Sequence, residues 1–364
     1  MHIVIEARNI NSSTGRYIER LVTYLQKIDT TNTYSILVPT KDKDFWKPTA
    51  KNFSVRTIDF DNYSFGEQLG FKRYLKKLKP DLVHFTMPQQ PIFYRGKSVT
   101  TFHDLTLLKT WNTDKNWLVY HIKQLVGRFA FYYTAHNTTR IIVPSQYTKR
   151  DLLSFSGITP SKITVTYEAA DVSPTRPRVY KTPFSEFLLY VGQQADYKNI
   201  RRLAEAHQRL LLDHPTLGLI LAGRLKDDAK ANQAFFKKQG YKNIHFTDYI
   251  SDEERDWLYA HCAAYCFPSL MEGFGLPGLE AMTYGAPVVA SNATCIPEIL
   301  GDAALYFDPN NTDDMAQTIG RVLDDPTLRK ELIDRGHKQI KKYSWKRMAQ
   351  QTHDVYTRAI NSKG

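Results

Sequence analysis

The sequence predicts an α/β fold of two doubly wound parallel-sheet domains in tandem. Three observations carry this expectation. Short, continuously apolar segments alternate with amphipathic ones along the whole chain, the pattern of strands buried on both faces beneath covering helices. The alternation runs in two series, separated by a proline-rich stretch without periodicity. The length of 364 residues suits two domains, and 42% hydrophobic with 24% charged residues is a globular composition.

The first series opens with a strand at His2–Glu6 and a helix at Gly15–Ile28. Strands follow at Tyr34–Pro39, Ser54–Asp59, Asp81–Thr86, Ser98–His103 and Arg140–Pro144, with helices at Gly66–Lys79 and Trp111–His136. The stretch Ala169–Ser185 holds Pro174, Pro177 and Pro183 and reads as the connection. The second series has strands at Phe187–Val191, Leu217–Ala222, Asn243–Phe246, Ala264–Phe267, Pro287–Ala290 and Ala304–Phe307. Asn199–Leu212 reads as a helix, and Ser251-Asp252-Glu253-Glu254 as a capping box opening another. The expected organisation is a first domain at 1–170, a linker at 171–185, a second domain at 186–343, and a terminal helix at 344–364 packing back on the first. Ligands of such sheets bind beyond the carboxyl ends of the strands, here expected in a cleft between the domains.

Composition narrows the function classes. No run of 18 apolar residues suggests a membrane span, and Met1 leads directly into a strand pattern rather than a secretory leader. Cys262, Cys266 and Cys295 are too few for a disulfide framework, so a cytoplasmic setting is expected. The net charge of +12 is lopsided. Residues 1–176 carry 25 Lys+Arg against 14 Asp+Glu, a surplus of 11, while residues 177–364 carry 24 against 23. A one-sided basic field attracts an anionic partner: nucleic acid, an acidic membrane surface or a phosphorylated substrate.

The strongest chemical signal lies at 268–299. A strand ending at Phe267 is followed by Glu272, Gly273, Phe274 and Gly275, and a helix begins near Leu276-Pro277. Glycines let a ligand approach the backbone, and a helix N-terminus offers N–H groups and a positive dipole end, which together suit a phosphate. Glu280, one turn into the helix, is placed to meet sugar hydroxyls beside such a phosphate.

The string E-G-F-G-L-P-x-L-E-A-M, then Y-G-x-P-V-V-A-S and P-E, resembles the donor site of retaining glycosyltransferases of family 4, which have the GT-B fold. Leu189-Tyr190-Val191-Gly192 with Lys198-Asn199 resembles that family's phosphate loop. Thr14-Gly15-Arg16-Tyr17 resembles its N-terminal glycine loop, and His103-Asp104-Leu105 its H-D-L segment. Tyr249–Glu254 and Ile141–Ser145 also match family segments, and the whole is most similar to bacterial mannosyltransferases of polysaccharide assembly. The resemblance implies a hexosyltransferase that moves a hexose, mannose favoured with GDP-mannose as donor, to a saccharide or lipid-linked saccharide acceptor.

The resemblance also implies roles. Glu280 would hold the donor ribose, and Glu272 would face the hexose. Backbone N–H groups of Gly273, Phe274, Gly275 and Leu276 would meet sugar hydroxyls and diphosphate. Lys198 would neutralise the departing diphosphate, and Gly15 would let the first-domain loop approach it. His103 would sit beside the transferred sugar and the acceptor. Arg224, Tyr249 and Ile250 would frame the nucleobase. Two departures stand out: Gln193 replaces the family's arginine, and Ser12-Ser13-Thr14 precede a single glycine. Arg202, with Arg201 second, is the expected substitute cation, because residues 198, 201 and 202 would share one helix face.

No cofactor and no metal are expected, since lysine and helix ends carry the charge. Asp59-Phe60-Asp61 matches a metal-binding D-x-D but reads as surface aspartates, and His261, Cys262 and Cys266 lack zinc spacing. The basic stretch Phe71–Lys79 suggests a peripheral contact with an anionic membrane, at its cytoplasmic side. Two alternatives fit less of the sequence: a nucleotide-sugar epimerase of the same fold, and a nucleic-acid-binding protein, for which no binding motif is present.

Overall fold

The computed structural model describes residues 1–12, 14–62, 64–109, 117–171 and 175–362. The chain divides into two compact units, Met1–Glu168 with Ser344–Gly364, and Ala169–Tyr343.

The first unit is built on seven strands: β1 (His2–Glu6), β2 (Thr33–Val38), β3 (Phe53–Thr57), β4 (Leu82–Phe85), β5 (Ser98–Thr101), β6 (Arg140–Val143) and β7 (Ile163–Val165). They lie in the order β3-β2-β1-β4-β5-β6-β7, and each adjacent pair is parallel. Ile3, Val4 and Ile5 are all fully buried, as a strand covered on both faces requires. The strand order reverses between β1 and β4, which makes their carboxyl ends the switch point. Helix Gly15–Ile28 buries Tyr17, Ile18, Leu21, Val22 and Leu25, spaced for one face. Gly15 begins it where no side chain fits, since a Cβ would stand 1.9 Å from the Ile10 carbonyl oxygen. The terminal helix Trp345–Asn361 packs against Gly15–Ile28, and His353 Nε2 lies 3.0 Å from Asp29 Oδ2 at that seam.

The second unit has six parallel strands: β8 (Phe187–Val191), β9 (Gly218–Ala222), β10 (Ile244–Phe246), β11 (Ala264–Phe267), β12 (Val288–Ser291) and β13 (Ala304–Phe307), in the order β10-β9-β8-β11-β12-β13. Its switch point is between β8 and β11. Helix Ile200–Leu210 packs Leu203, Ala204 and Leu210 into the same core as Leu219 and Leu221 of β9. Arg178 is fastened to the capping box: its N–H donates to the Glu253 carbonyl, and its guanidinium pairs with Glu254 at 3.1 Å. Ser251 and Glu254 exchange both hydrogen bonds of that box.

The expected strands lie within two residues of the observed ones at each end. Strand β7 and the helices Gln146–Ser156, Asp227–Gln239, Thr312–Asp324 and Pro326–Gln339 went unread. Three residues are too few for a periodicity, which explains β7. The expected helix Gly66–Lys79 begins with a wide π-type turn, Gly66–Phe71, before its α-helical part, Lys72–Leu78. Of the expected helix Trp111–His136, residues 117–137 are helical, and 111–116 lie outside the described residues. Ser13 and Pro174 also lie outside them.

Candidate functional site

In the second unit two glycine turns face one another at the switch-point end of the sheet. Gly192 (φ 140°) follows β8 and Gly223 (φ 151°) follows β9. Gly192 N–H donates to the Ala222 carbonyl at 2.9 Å, and a Cβ on Gly223 would stand 2.5 Å from the Gly192 oxygen. Both the φ values and the close approach require glycine here. The buried Tyr190 hydroxyl donates to the Gln193 carbonyl, which fixes the turn and leaves Gln193 exposed.

Lys198 comes next, in a short 3₁₀ turn, and Asn199 adopts a left-handed conformation (φ 61°) before helix Ile200–Leu210. Asn199 is buried and donates to the carbonyls of Pro268 and Pro309 at 3.2 and 2.7 Å. It therefore ties the helix start to the loop after β11. Across that tie, Lys198 Nζ donates to Glu272 Oε1 at 2.6 Å, with the two side chains 17% and 13% exposed. Burial works against the Lys198 charge, but the Glu272 carboxylate outweighs it and holds the ammonium above the ordinary lysine range. The pair is thus a charged, mostly buried hydrogen bond that keeps some exposure, placed beyond the carboxyl ends of β8 and β11.

One expectation is corrected here. Lys198 does not share a helix face with Arg201 and Arg202, because the left-handed Asn199 breaks the helix between them. Arg201 points elsewhere, donating to Asn232 Oδ1 at 3.0 Å and lying over the Phe235 ring. Arg202 donates to Asn199 Oδ1 at 3.0 Å, so its guanidinium does reach the start of its helix.

Glu272 is held by its own backbone. Its N–H donates to Thr294 Oγ1 at 3.2 Å, and its carbonyl accepts from the buried Cys295 thiol. Gly273, Phe274 and Gly275 are buried, and Gly275 (φ 94°) turns the chain into helix Leu276–Thr283, with Pro277 in its first turn. A Cβ at Gly275 would press on the Phe267 ring at 3.1 Å. Glu280 accepts from the Tyr259 hydroxyl at 3.4 Å. It also faces Arg255, whose charge burial opposes and Glu280 sustains more than any other neighbour.

Beside β9 and β10, Arg224, Leu225, Lys226, Asp248 and Tyr249 line an open hollow of about 510 Å³. The Arg224 guanidinium lies 5.1 Å from the Tyr249 ring centre, and Tyr249 is 68% exposed. Ile250 is half-buried beside it. An exposed ring with a guanidinium on it can receive a flat aromatic group.

Gly15 and His103 belong to the first unit, so the predicted set is divided between the two units. His103 is mostly buried: Nε2 is 3.1 Å from the Thr86 carbonyl, Nδ1 is 3.5 Å from Glu168 Oε1, and the Tyr17 ring meets it edge-on. Glu168 went unread in the sequence. It follows β7 by three positions, and nothing local tells that the chain there passes close to His103. The Asp59 carboxylate of the D-x-D accepts from Thr40 N–H and hydroxyl. Cys262 and Cys266 are buried, and burial pushes the Cys262 thiol up to about 12.

Two doubly wound parallel sheets, with a glycine-turned helix start and a Lys–Glu pair at the second switch point, define the class of GT-B glycosyltransferases. The chain belongs to glycosyltransferase family 4: residues 14–173 match the Glycosyltransferase Family 4 model, and residues 177–339 match that of Glycosyl transferases group 1. It is 32% identical over 273 residues to the O-antigen chain mannosyltransferase B of Escherichia coli, covering 71% of this chain and 70% of that one. Among solved structures it resembles the sucrose-phosphate synthase of Thermosynechococcus elongatus, with a TM-score of 0.77, 18% identity and 98% of both chains covered. Anabaena HepE, in complex with UDP and glucose, is similar with a TM-score of 0.75, 16% identity, and 98% and 99% of the two chains covered.

Proposed function

We propose that this glycosyltransferase moves mannose from GDP-mannose to a saccharide or lipid-linked saccharide, with retention and without a metal. The observation that carries the reading is the Lys198–Glu272 pair beside the start of helix Leu276–Thr283. The mannosyltransferase relative supports the sugar. In the reaction the bond from the anomeric carbon to the diphosphate oxygen breaks, and a bond from that carbon to the acceptor oxygen forms on the same face. The acceptor proton passes to the departing diphosphate. Negative charge grows on the diphosphate, and a fixed cation with helix N–H groups lowers the barrier by meeting it there. Lys198 is that cation, with the N–H groups of Gly273, Phe274, Gly275 and Leu276 beside it.

Glu272 keeps Lys198 in place and offers its second oxygen to hexose hydroxyls. Glu280 takes the ribose, and Arg224, Tyr249 and Ile250 take the base. Arg202 supplies the second cation that Gln193 does not. Gly15 admits the diphosphate to its loop, and His103 lines the acceptor side. The test is thermal stabilisation across a panel of nucleotide sugars, followed by turnover with and without EDTA. GDP-mannose at a hundred times its dissociation constant should add about 2.7 kcal/mol. Stabilisation by uridine sugars alone would replace the donor. Turnover abolished by EDTA and restored by Mg²⁺ would bring in a metal.

A further inference from the structure

His103 follows β5, and groups from four other elements hold it. Its carbonyl accepts from the Thr148 hydroxyl of helix Gln146–Ser156 at 3.4 Å. Its ring meets that of Tyr17 edge-on at 4.8 Å, and the Tyr17 hydroxyl is itself fixed 3.0 Å from Thr101 Oγ1. Its Nε2 faces the carbonyl of Thr86, just past β4, and the Thr86 hydroxyl donates to the Glu6 carbonyl at 2.8 Å. Its Nδ1 faces Glu168, the last residue of the first unit, with the two side chains 13% and 6% exposed.

The fold does not account for Glu168. A buried carboxylate is costly unless it is paired, and an apolar side chain of similar size would fill the place at less cost. Among the described residues Glu168 pairs with no lysine or arginine and caps no helix, and the His103 ring is the polar group set against it. The Tyr17 hydroxyl feels the same carboxylate but is bonded to Thr101.

The Thr86 carbonyl and the Glu168 carboxylate are both acceptors. A neutral imidazole has one N–H and one bare nitrogen, so the carboxylate draws the ring proton toward Nδ1 while the carbonyl draws it toward Nε2. With an oxygen opposite each nitrogen the ring also keeps one orientation, because a half-turn would set carbon atoms against both oxygens.

We propose that Glu168 is a positioning residue for His103, fixing the orientation and the tautomer of the ring. The inference rests on the reading that His103 lines the acceptor side. It leaves that ring no free nitrogen to take the acceptor proton, in keeping with passage of the proton to the departing diphosphate.

The experiment compares the full chain with Glu168→Leu and Glu168→Gln. Long-range proton–nitrogen spectra of histidine-labelled protein read the ring directly and need no turnover. In Glu168→Leu the His103 resonances should move to those of a ring protonated on Nε2 alone, and in Glu168→Gln part of the way. GDP release from GDP-mannose, with water in place of the unidentified saccharide, should fall about 10–10²-fold in kcat for Glu168→Leu, with KM for the donor little changed. Glu168→Gln, of the same shape, should show a smaller fall in the same direction, which keeps the test in hand if the leucine variant does not fold. In a His103→Ala background the same substitutions should add little. Ring resonances that match the parent in both variants overturn the inference. So does a fall in rate as large without His103 as with it. A His103→Ala variant as fast as the parent would count against the acceptor-side reading instead, and the ring spectra would still decide what Glu168 does.

Discussion

At the switch point of the first sheet, an arginine and two glutamates are sealed inside the protein. At the switch point of the second, a lysine and a glutamate meet at the edge of solvent. In the first unit Arg8 pairs with Glu6 and Glu67, each at 2.7 Å, with side chains 6% and 1% exposed. The guanidinium also donates to the carbonyls of Phe60 and Gln89 and lies over the Phe71 ring. With these partners and a side chain only 6% exposed, the guanidinium ties loops together. The Lys198–Glu272 pair has fewer partners and more water. The difference separates charge used to build a sheet end from charge kept available there.

The largest expected effect follows from the sealed cluster. Arg8→Met would leave two buried carboxylates without their cation, and breaking such a pair costs about 3–5 kcal/mol. Urea unfolding should show that loss, and adding Glu6→Gln and Glu67→Gln should recover part of it. If Arg8→Met leaves stability intact, the two switch points do not differ in the way described.

The second effect is expected in turnover instead. Lys198→Ala should lower kcat about 10²–10³-fold, the usual loss for one fixed group facing a developing charge. Its stability cost should be smaller than that of Arg8→Met, because Glu272 keeps more exposure than Glu6 and Glu67 and loses one partner, not a shared one. Lys198→Arg should restore part of the rate. A Lys198→Ala variant that unfolds early and turns over normally would make this pair structural, like that of Arg8.

How much of this was legible in the sequence differs between the same two places. The second site lies in contiguous strings, 192–199 and 268–280, where glycines with positive φ, a helix start and two glutamates declare themselves locally. The first cluster joins residues 6, 8, 67 and 89, and only the sheet order β3-β2-β1-β4 brings them together. Glu168 beside His103 was hidden for the same reason. The face shared by residues 198, 201 and 202 was misread because helical spacing was assumed through Asn199. An asparagine is among the few residues that adopt a left-handed conformation readily, and that alone separates Lys198 from the helix. The helix Trp117–Asn137 was visible as aromatic content, but which of its sides is covered was not, since apolar residues lie on more than one of them.

The smallest effect tests whether the two units differ only at their sheet ends or also in their cores. Each buries a histidine that resists protonation. In the first, His84 lies between Tyr356 Oη at 2.6 Å and Thr101 Oγ1 at 2.9 Å, and burial, with His103 nearby, pushes its pKa down to about 3. In the second, His207 Nε2 donates to the Leu217 carbonyl at 3.1 Å, and burial pushes its pKa down to about 4 despite that bond. Both folded values lie below the unfolded value near 6.5. As pH falls through about 6.5 the unfolded chain takes up protons that the folded chain refuses, so stability is full above that pH and declines below it. At about pH 5.5 each histidine should cost about 1.3 kcal/mol relative to pH 7. The His207 contribution should level off near pH 4, while that of His84 continues to about pH 3. Urea midpoints of the parent, His84→Gln and His207→Gln at the two pH values measure this directly. Each variant should lose less stability on acidification than the parent, and by similar amounts. Similar amounts would confine the difference between the units to their sheet ends, and a parent that acidifies in parallel with either variant would show that histidine to be protonated in the fold.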